Sequence, residues 1–195
     1  MNTLWAFGDS FTKGLGLVND GHQYPPYKGK EHLIWPQLLA DYLDNRCKVV
    51  AFNGISNDMI WDLVIDKFDA IHEGDTVVIG LTKCARFSAY SPGHHQVGLF
   101  NKAPIRDSQL IGGDFAKWGL KNIRDNVADV FARNTTNFTF LCNQFEAKGV
   151  KAYFWDELLW SKFTTISQET RHGDDHWGIK GHEQMFKHLK KEMKL

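Results

Sequence analysis

What this chain has little of already limits what it is. Its three cysteines, Cys47, Cys84 and Cys142, are an odd number without Cys-x-x-Cys spacing. A disulfide framework is therefore not encoded, and reduced thiols in a cytoplasm-like compartment are the expectation. Excess charge of either sign is lacking too: 23 basic and 23 acidic side chains cancel, which removes the broad electrostatic case for a nucleic-acid partner. No run of about 18 apolar residues offers a membrane span, and the N-terminus has no basic stretch leading into a long apolar one, so no signal peptide is expected. Internal repeats and low-complexity linkers are absent. The 195 residues are 43% hydrophobic and 24% charged. That composition and length suit one globular domain, 1–195, able to bury roughly 70% of its surface on folding.

The sequence alternates short apolar runs with helical periodicity. Leu4 to Phe7 reads as a buried strand that breaks at Gly8 and presents Asp9 and Ser10, with Gly14 and Gly16 beyond. A polar, Gly- and Pro-bearing loop spans 19–31. A helix follows over 34–43, with Pro36 in its first turn. Lys48 to Phe52 is a second strand, ending in Asn53-Gly54-Ile55-Ser56-Asn57-Asp58, and a helix is predicted from Met59 to His72. Thr76 to Leu81 is the most β-like run, ending in Thr82-Lys83-Cys84-Ala85-Arg86. The stretch 87–113 shows no clear periodicity and is long for a plain connection, which suggests a lid or substrate loop. Helical pattern runs from Asp114 to about Arg133 and resumes through Phe138 to Phe145. Val150 to Trp155 is a further strand, and the chain closes on a helix containing Met185, Phe186, Leu189 and Met193. Such alternation predicts a mostly parallel sheet covered on both faces. The strand ends at Ser10, Gly54 and Thr82 would then share one rim, where open α/β sheets gather functional groups.

A serine hydroxyl becomes a useful nucleophile when an imidazole takes its proton and a carboxylate fixes the imidazole tautomer. His176 lies in a predicted loop rather than on an apolar helical face, which makes it the base to test. Asp174, two residues earlier, can face the same cleft and orient it. Asp175, directly adjacent, points away in an extended turn.

Gly8-Asp9-Ser10-Phe11-Thr12, the Gly54 turn and the C-terminal Asp174-x-His176-x-Gly178-x-x-Gly181-His182 together resemble the SGNH (GDSL-type) hydrolases, in the right order and across essentially the whole chain. The resemblance implies a three-layer α/β/α sandwich with a flavodoxin-like central sheet. It also implies cofactor-free ester hydrolysis through an acyl-serine, with the oxyanion held by a Ser N–H, a Gly N–H and an Asn side chain. One block departs from the pattern. Where the family has Gly-x-Asn-Asp after the third strand, this chain has Leu81-Thr82-Lys83-Cys84-Ala85-Arg86. Losing one oxyanion donor costs about 10²–10³ in rate, so Asn57, or else Thr82 or Arg86, is expected to substitute. Gly-x-Ser-Asn-Asp and Ile-Gly-x-Thr-x-x-x-Arg resemble a divergent branch found in phage and environmental bacterial genomes.

Blander roles stand beside these. Gly-Asp-Ser alone is what many strand-to-helix turns use as a cap. Asn57 and Asp58 could simply cap the helix that follows them. Asp9 reads as a turn-stabilising residue, and His182 as a first-turn residue of the last helix. His94, His95, His172, His176 and His182 lack any zinc-ligand spacing. The expectation is a serine esterase using Ser10, His176 and Asp174, with O-acetylated carbohydrate as the first substrate class. The alternative is a weakly active or inactive carbohydrate-binding module on the same fold.

Overall fold

The computed structural model describes residues 1–15, 31–84, 86–91, 94–99, 127–156 and 177–195. Strands β1 (Thr3–Gly8), β2 (Arg46–Ala51), β3 (Thr76–Gly80) and β6 (Lys151–Trp155) form one four-stranded sheet in the order β2-β1-β3-β6. Every pairing in it is parallel. A separate antiparallel hairpin joins β4 (Arg86–Ser91) to β5 (His94–Leu99). The helices are α1 (Ser10–Lys13), α2 (Trp35–Tyr42), α3 (Asn57–Lys67), α4 (Val127–Ala147) and α5 (Ile179–Glu192).

Side chains alternate across a strand, so one apolar run serves two layers. Leu4 and Ala6 of β1, with Val78 of β3, meet Trp35 and Leu39 of α2 and Met185 and Leu189 of α5. Trp5 and Phe7, with Val77 and Ile79, meet Ile60 and Val64 of α3 and Phe138, Leu141 and Phe145 of α4 on the opposite face. The result is a three-layer α/β/α sandwich with a parallel, flavodoxin-like sheet: the covered parallel sheet follows the alternation, and the layering is what the resemblance implied. Among the described residues no helix is long and apolar enough to cross a membrane.

Several element boundaries differ from the sequence reading. β2 begins at Arg46, two residues early, and Phe52 lies beyond it at 53% exposure. β2 is an edge strand, so its apolar run is only half covered. Helix α3 ends at Lys67 and tightens into a 3₁₀ turn at Phe68–Ala70. The two helical runs expected around 133–138 are one helix, α4, within the described residues. The stretch predicted as a lid or substrate loop, 87–113, contains the β4–β5 hairpin in its first part, and 100–126 lies outside the described residues, as does most of the predicted 19–31 loop.

A buried carboxylate pins the amino end of the sheet. Asp75 accepts the Thr3 N–H at 2.7 Å, the Trp5 indole N–H at 3.1 Å and the His72 N–H at 3.1 Å. At the carboxyl end, Gly80 permits close packing. A Cβ there would stand 2.4 Å from Cζ2 of Trp155 and 2.6 Å from Oγ1 of Thr12.

Candidate active site

Gly8 pairs in register with Ala51 of β2, and Phe7 with Ile79 of β3. The turns after these three strands therefore leave the sheet side by side. Ser10 opens the short helix α1 directly beyond β1 and is 2% exposed. Asp9 caps that helix, its Oδ1 accepting the Phe11 N–H at 3.0 Å. Gly54 follows β2 with φ +74°, a left-handed conformation that side chains rarely adopt. No atom lies within 4 Å of the position a Cβ would take on it, and among the described residues its N–H meets no acceptor. The Gly54 turn thus follows the strand next to the one that ends at the Ser10 turn, with open space where a side chain would stand.

Asn57, 4% exposed, does not cap α3; Ser56 does, accepting the Met59 N–H at 3.3 Å. Asn57 instead grips the chain leaving β3. Its Oδ1 accepts the Thr82 N–H at 2.8 Å, and its Nδ2 donates to the Thr82 carbonyl at 3.1 Å. The carboxamide has two N–H donors, and Thr82 takes one of them. The Thr82 hydroxyl donates to Oδ2 of Asp9 at 2.8 Å. Arg86 donates through Nη1 both to that same oxygen, at 2.8 Å, and to Oγ1 of Thr82. The Asp9 and Arg86 side chains are 3% and 11% exposed, so this is a buried ion pair. Asp9 is accordingly a turn-stabilising residue, as read from sequence. Thr82 and Arg86 are joined to it rather than standing apart at a rim.

The catalytic candidates Asp174 and His176 lie outside the described residues. Trp177, the residue after His176, is described. It is 2% exposed, and its ring meets Phe11 edge-on at 5.0 Å and Trp155 at 5.6 Å. Two neighbours of the candidate triad, Phe11 after Ser10 and Trp177 after His176, are therefore in contact. His182, in the first turn of α5, is 1% exposed and accepts the Trp35 N–H through Nδ1 at 3.3 Å. It supplies the start of α2 with an acceptor that the N-cap residue, Ile34, has no side chain to give.

A small, partly open cleft adjoins Arg86 of the Asp9–Arg86–Thr82 network. Asn57, Asp58, Cys84 and Arg86 line one side, and Val130, Arg133 and Asn134 of α4 the other. Ser10 and Gly54 do not border it. Cys47, Cys84 and Cys142 form no disulfide. Burial pushes Cys47 up to about 11 and Cys142 up to about 12, with the Asp41 and Glu146 carboxylates adding to the respective effects. Neither is poised as a nucleophile. Among the described residues no three His, Cys, Asp or Glu side chains gather as metal ligands.

The sequence reading missed the Arg86–Asp9 pair. A cue existed: an acid at the end of a fully apolar strand requires a cation partner, and Arg86 follows the neighbouring strand end.

No family model matches the sequence, and no curated protein matches it either. Solved structures do. A carbohydrate esterase whose active site is described as having divergent catalytic and non-catalytic binding functions is 13% identical, with a TM-score of 0.45, over 99% of this chain and 68% of its own. A carbohydrate esterase family 2 enzyme with a carbohydrate-binding domain, from Corynascus thermopiles, is 16% identical, with a TM-score of 0.43, over 98% and 65%. A member of the lipolytic G-D-S-L family from Veillonella parvula is 13% identical, with a TM-score of 0.42, over 98% and 97%.

Proposed function

We propose that this protein is a serine esterase of the SGNH type. The observation that carries the reading is the shared rim: a buried Ser10 at the head of α1, the left-handed Gly54 turn at the neighbouring strand end with open space where a side chain would stand, and Trp177 seated on Phe11. That last contact joins the residue that follows Ser10 in the sequence to the residue that follows His176.

In the proposed reaction His176 takes the Ser10 hydroxyl proton while Oγ attacks an ester carbonyl. Asp174 holds the imidazole in the tautomer that accepts. The Ser10 and Gly54 N–H groups, with the second N–H of Asn57, donate to the oxyanion. The tetrahedral intermediate collapses, the alcohol leaves with the proton from His176, and a water deprotonated by the same imidazole hydrolyses the acyl-serine. No cofactor takes part. O-acetylated carbohydrate is the proposed substrate class. A carbohydrate-binding module with little turnover is the second reading. It is favoured by the engagement of Asn57 with Thr82 at both ends of its carboxamide.

Treatment with a fluorophosphonate distinguishes the two. The esterase is labelled stoichiometrically on Ser10, and labelling disappears in Ser10→Ala and His176→Ala. Hydrolysis of 4-nitrophenyl acetate falls on the order of 10⁶-fold in Ser10→Ala. Absent labelling and absent hydrolysis by the wild type select the binding module. A panel of acetylated sugars against medium-chain esters then assigns the acyl group.

A further inference from the structure

Asp9 places a buried carboxylate one residue before the proposed nucleophile. Negative charge that accumulates on a substrate oxygen beside Ser10 would be opposed by it, because like charges repel strongly where water is excluded. The structure answers with a partner. Arg86 Nη1 stands 2.8 Å from Oδ2 of Asp9, the Thr82 hydroxyl donates to the same oxygen, and Oδ1 takes the Phe11 N–H. Helix α1 has four residues, too short for its dipole to offset a full charge.

We propose, on the basis of the serine-esterase reading, that Arg86 is a positioning residue. It neutralises Asp9 and locks the Ser10 turn, so that the oxyanion forms beside a charge-balanced carboxylate. It does not itself donate to substrate. Three features support this division of labour. The Arg86 guanidinium is tied through Nη1 to both Asp9 and Thr82. Asn57 clamps the Thr82 backbone from the other side, which fixes the end of β3 and with it the guanidinium. Among the described residues Nε of Arg86 is buried without an acceptor, and Nη1 carries the guanidinium's bonds to Asp9 and Thr82.

Wild type, Arg86→Gln, Asp9→Asn and the double variant Asp9→Asn/Arg86→Gln are compared on 4-nitrophenyl acetate, with melting curves recorded for each. Arg86→Gln is expected to lower kcat about 10²-fold, the scale of one lost electrostatic contribution at an oxyanion, and to change KM less than about threefold. The double variant, which has no buried carboxylate left to oppose the oxyanion, recovers about tenfold or more of that loss. A double variant no faster than Arg86→Gln overturns the proposal, since a substrate-binding arginine is not rescued by neutralising Asp9, and a double variant that regains Tm without regaining kcat overturns it as well, since that marks a purely structural pair. Arg86→Gln at the wild-type rate also overturns it. If Arg86→Gln does not fold, the double variant is read against Asp9→Asn alone: near-equal kcat supports the proposal, and a gap of about 10²-fold refutes it. A wild type that is neither labelled nor active removes the esterase reading and this proposal with it. An active wild type with an unimpaired Arg86→Gln removes this proposal only.

Discussion

Replacing Asn57 with alanine separates two roles that converge on one side chain. Asn57 satisfies both the N–H and the carbonyl of Thr82, at 2.8 and 3.1 Å. Removing the carboxamide leaves two backbone groups without partners, each worth about 1–3 kcal/mol when fully buried. The neighbouring cleft, which Asn57 lines, gives water a route to part of the gap, so the lower half of that range applies and the total is about 3 kcal/mol. For a domain of this size Tm moves about 2–4 °C per kcal/mol, which predicts a fall of about 6–12 °C. Differential scanning calorimetry reads that directly. If the second amide N–H also serves the oxyanion, kcat on 4-nitrophenyl acetate falls about 10²–10³-fold in the same variant. Asn57→Asp keeps an acceptor for the Thr82 N–H but turns a carboxylate oxygen toward the Thr82 carbonyl in a buried site, so its Tm falls at least as far as that of Asn57→Ala. An Asn57→Ala protein with wild-type Tm refutes the clamp. One with lowered Tm and wild-type kcat refutes the oxyanion assignment and leaves the clamp standing.

Other outcomes follow from the packing and the titrating groups. Gly80→Ala drives a methyl group to 2.4 Å from the Trp155 ring and 2.6 Å from Oγ1 of Thr12. Such overpacking costs about 1–3 kcal/mol, so a Tm lowered by less than about 2 °C would contradict this packing. Alkaline pH should erode stability. Cys47 is pushed to about 11 and Cys142 to about 12, from an ordinary 9.0, and Tyr153 to about 12, from 10.0, with burial the main cause in each. The folded chain keeps protons that the unfolded chain releases, so this contribution is complete below pH 9.0 and is lost as pH climbs toward the folded values. Tm measured from pH 8 upward should decline from about pH 9, with a shallower slope in Cys142→Ala. A Tm flat to pH 11 would be inconsistent with those burials.

The sheet was legible because its signal is local. Leu4-Trp5-Ala6-Phe7 and Val77-Val78-Ile79 are short apolar runs, and each feeds two layers through the period-2 alternation of a strand. The hairpin was missed because β4 and β5 offer no clean alternation, although Pro92-Gly93 between them is a turn dipeptide that could have marked it. Ser10 and Gly54 were found at strand ends because glycine punctuates such turns. The partnership of Asp9 with Arg86 spans 77 positions, and that of Asn57 with Thr82 spans 25. No local rule addresses pairs of that kind, since they depend on which strands become neighbours. For the same reason the sequence could rank Asn57 as cap or donor but could not reveal that it holds the backbone of another strand.

The contacts of Trp177 with Phe11 and of His182 with Trp35 bear on how the molecule is made. Synthesis runs from the N-terminus, so the Ser10 turn and helix α2 emerge well before Trp177 and His182, which supply the aromatic wall beside one and the acceptor for the other. A nascent chain, or one clipped ahead of Trp177, holds the first half of the proposed machinery without its counterpart. The Ser10 turn and the start of α2 therefore reach their final packing only after residues 177–182 have been made.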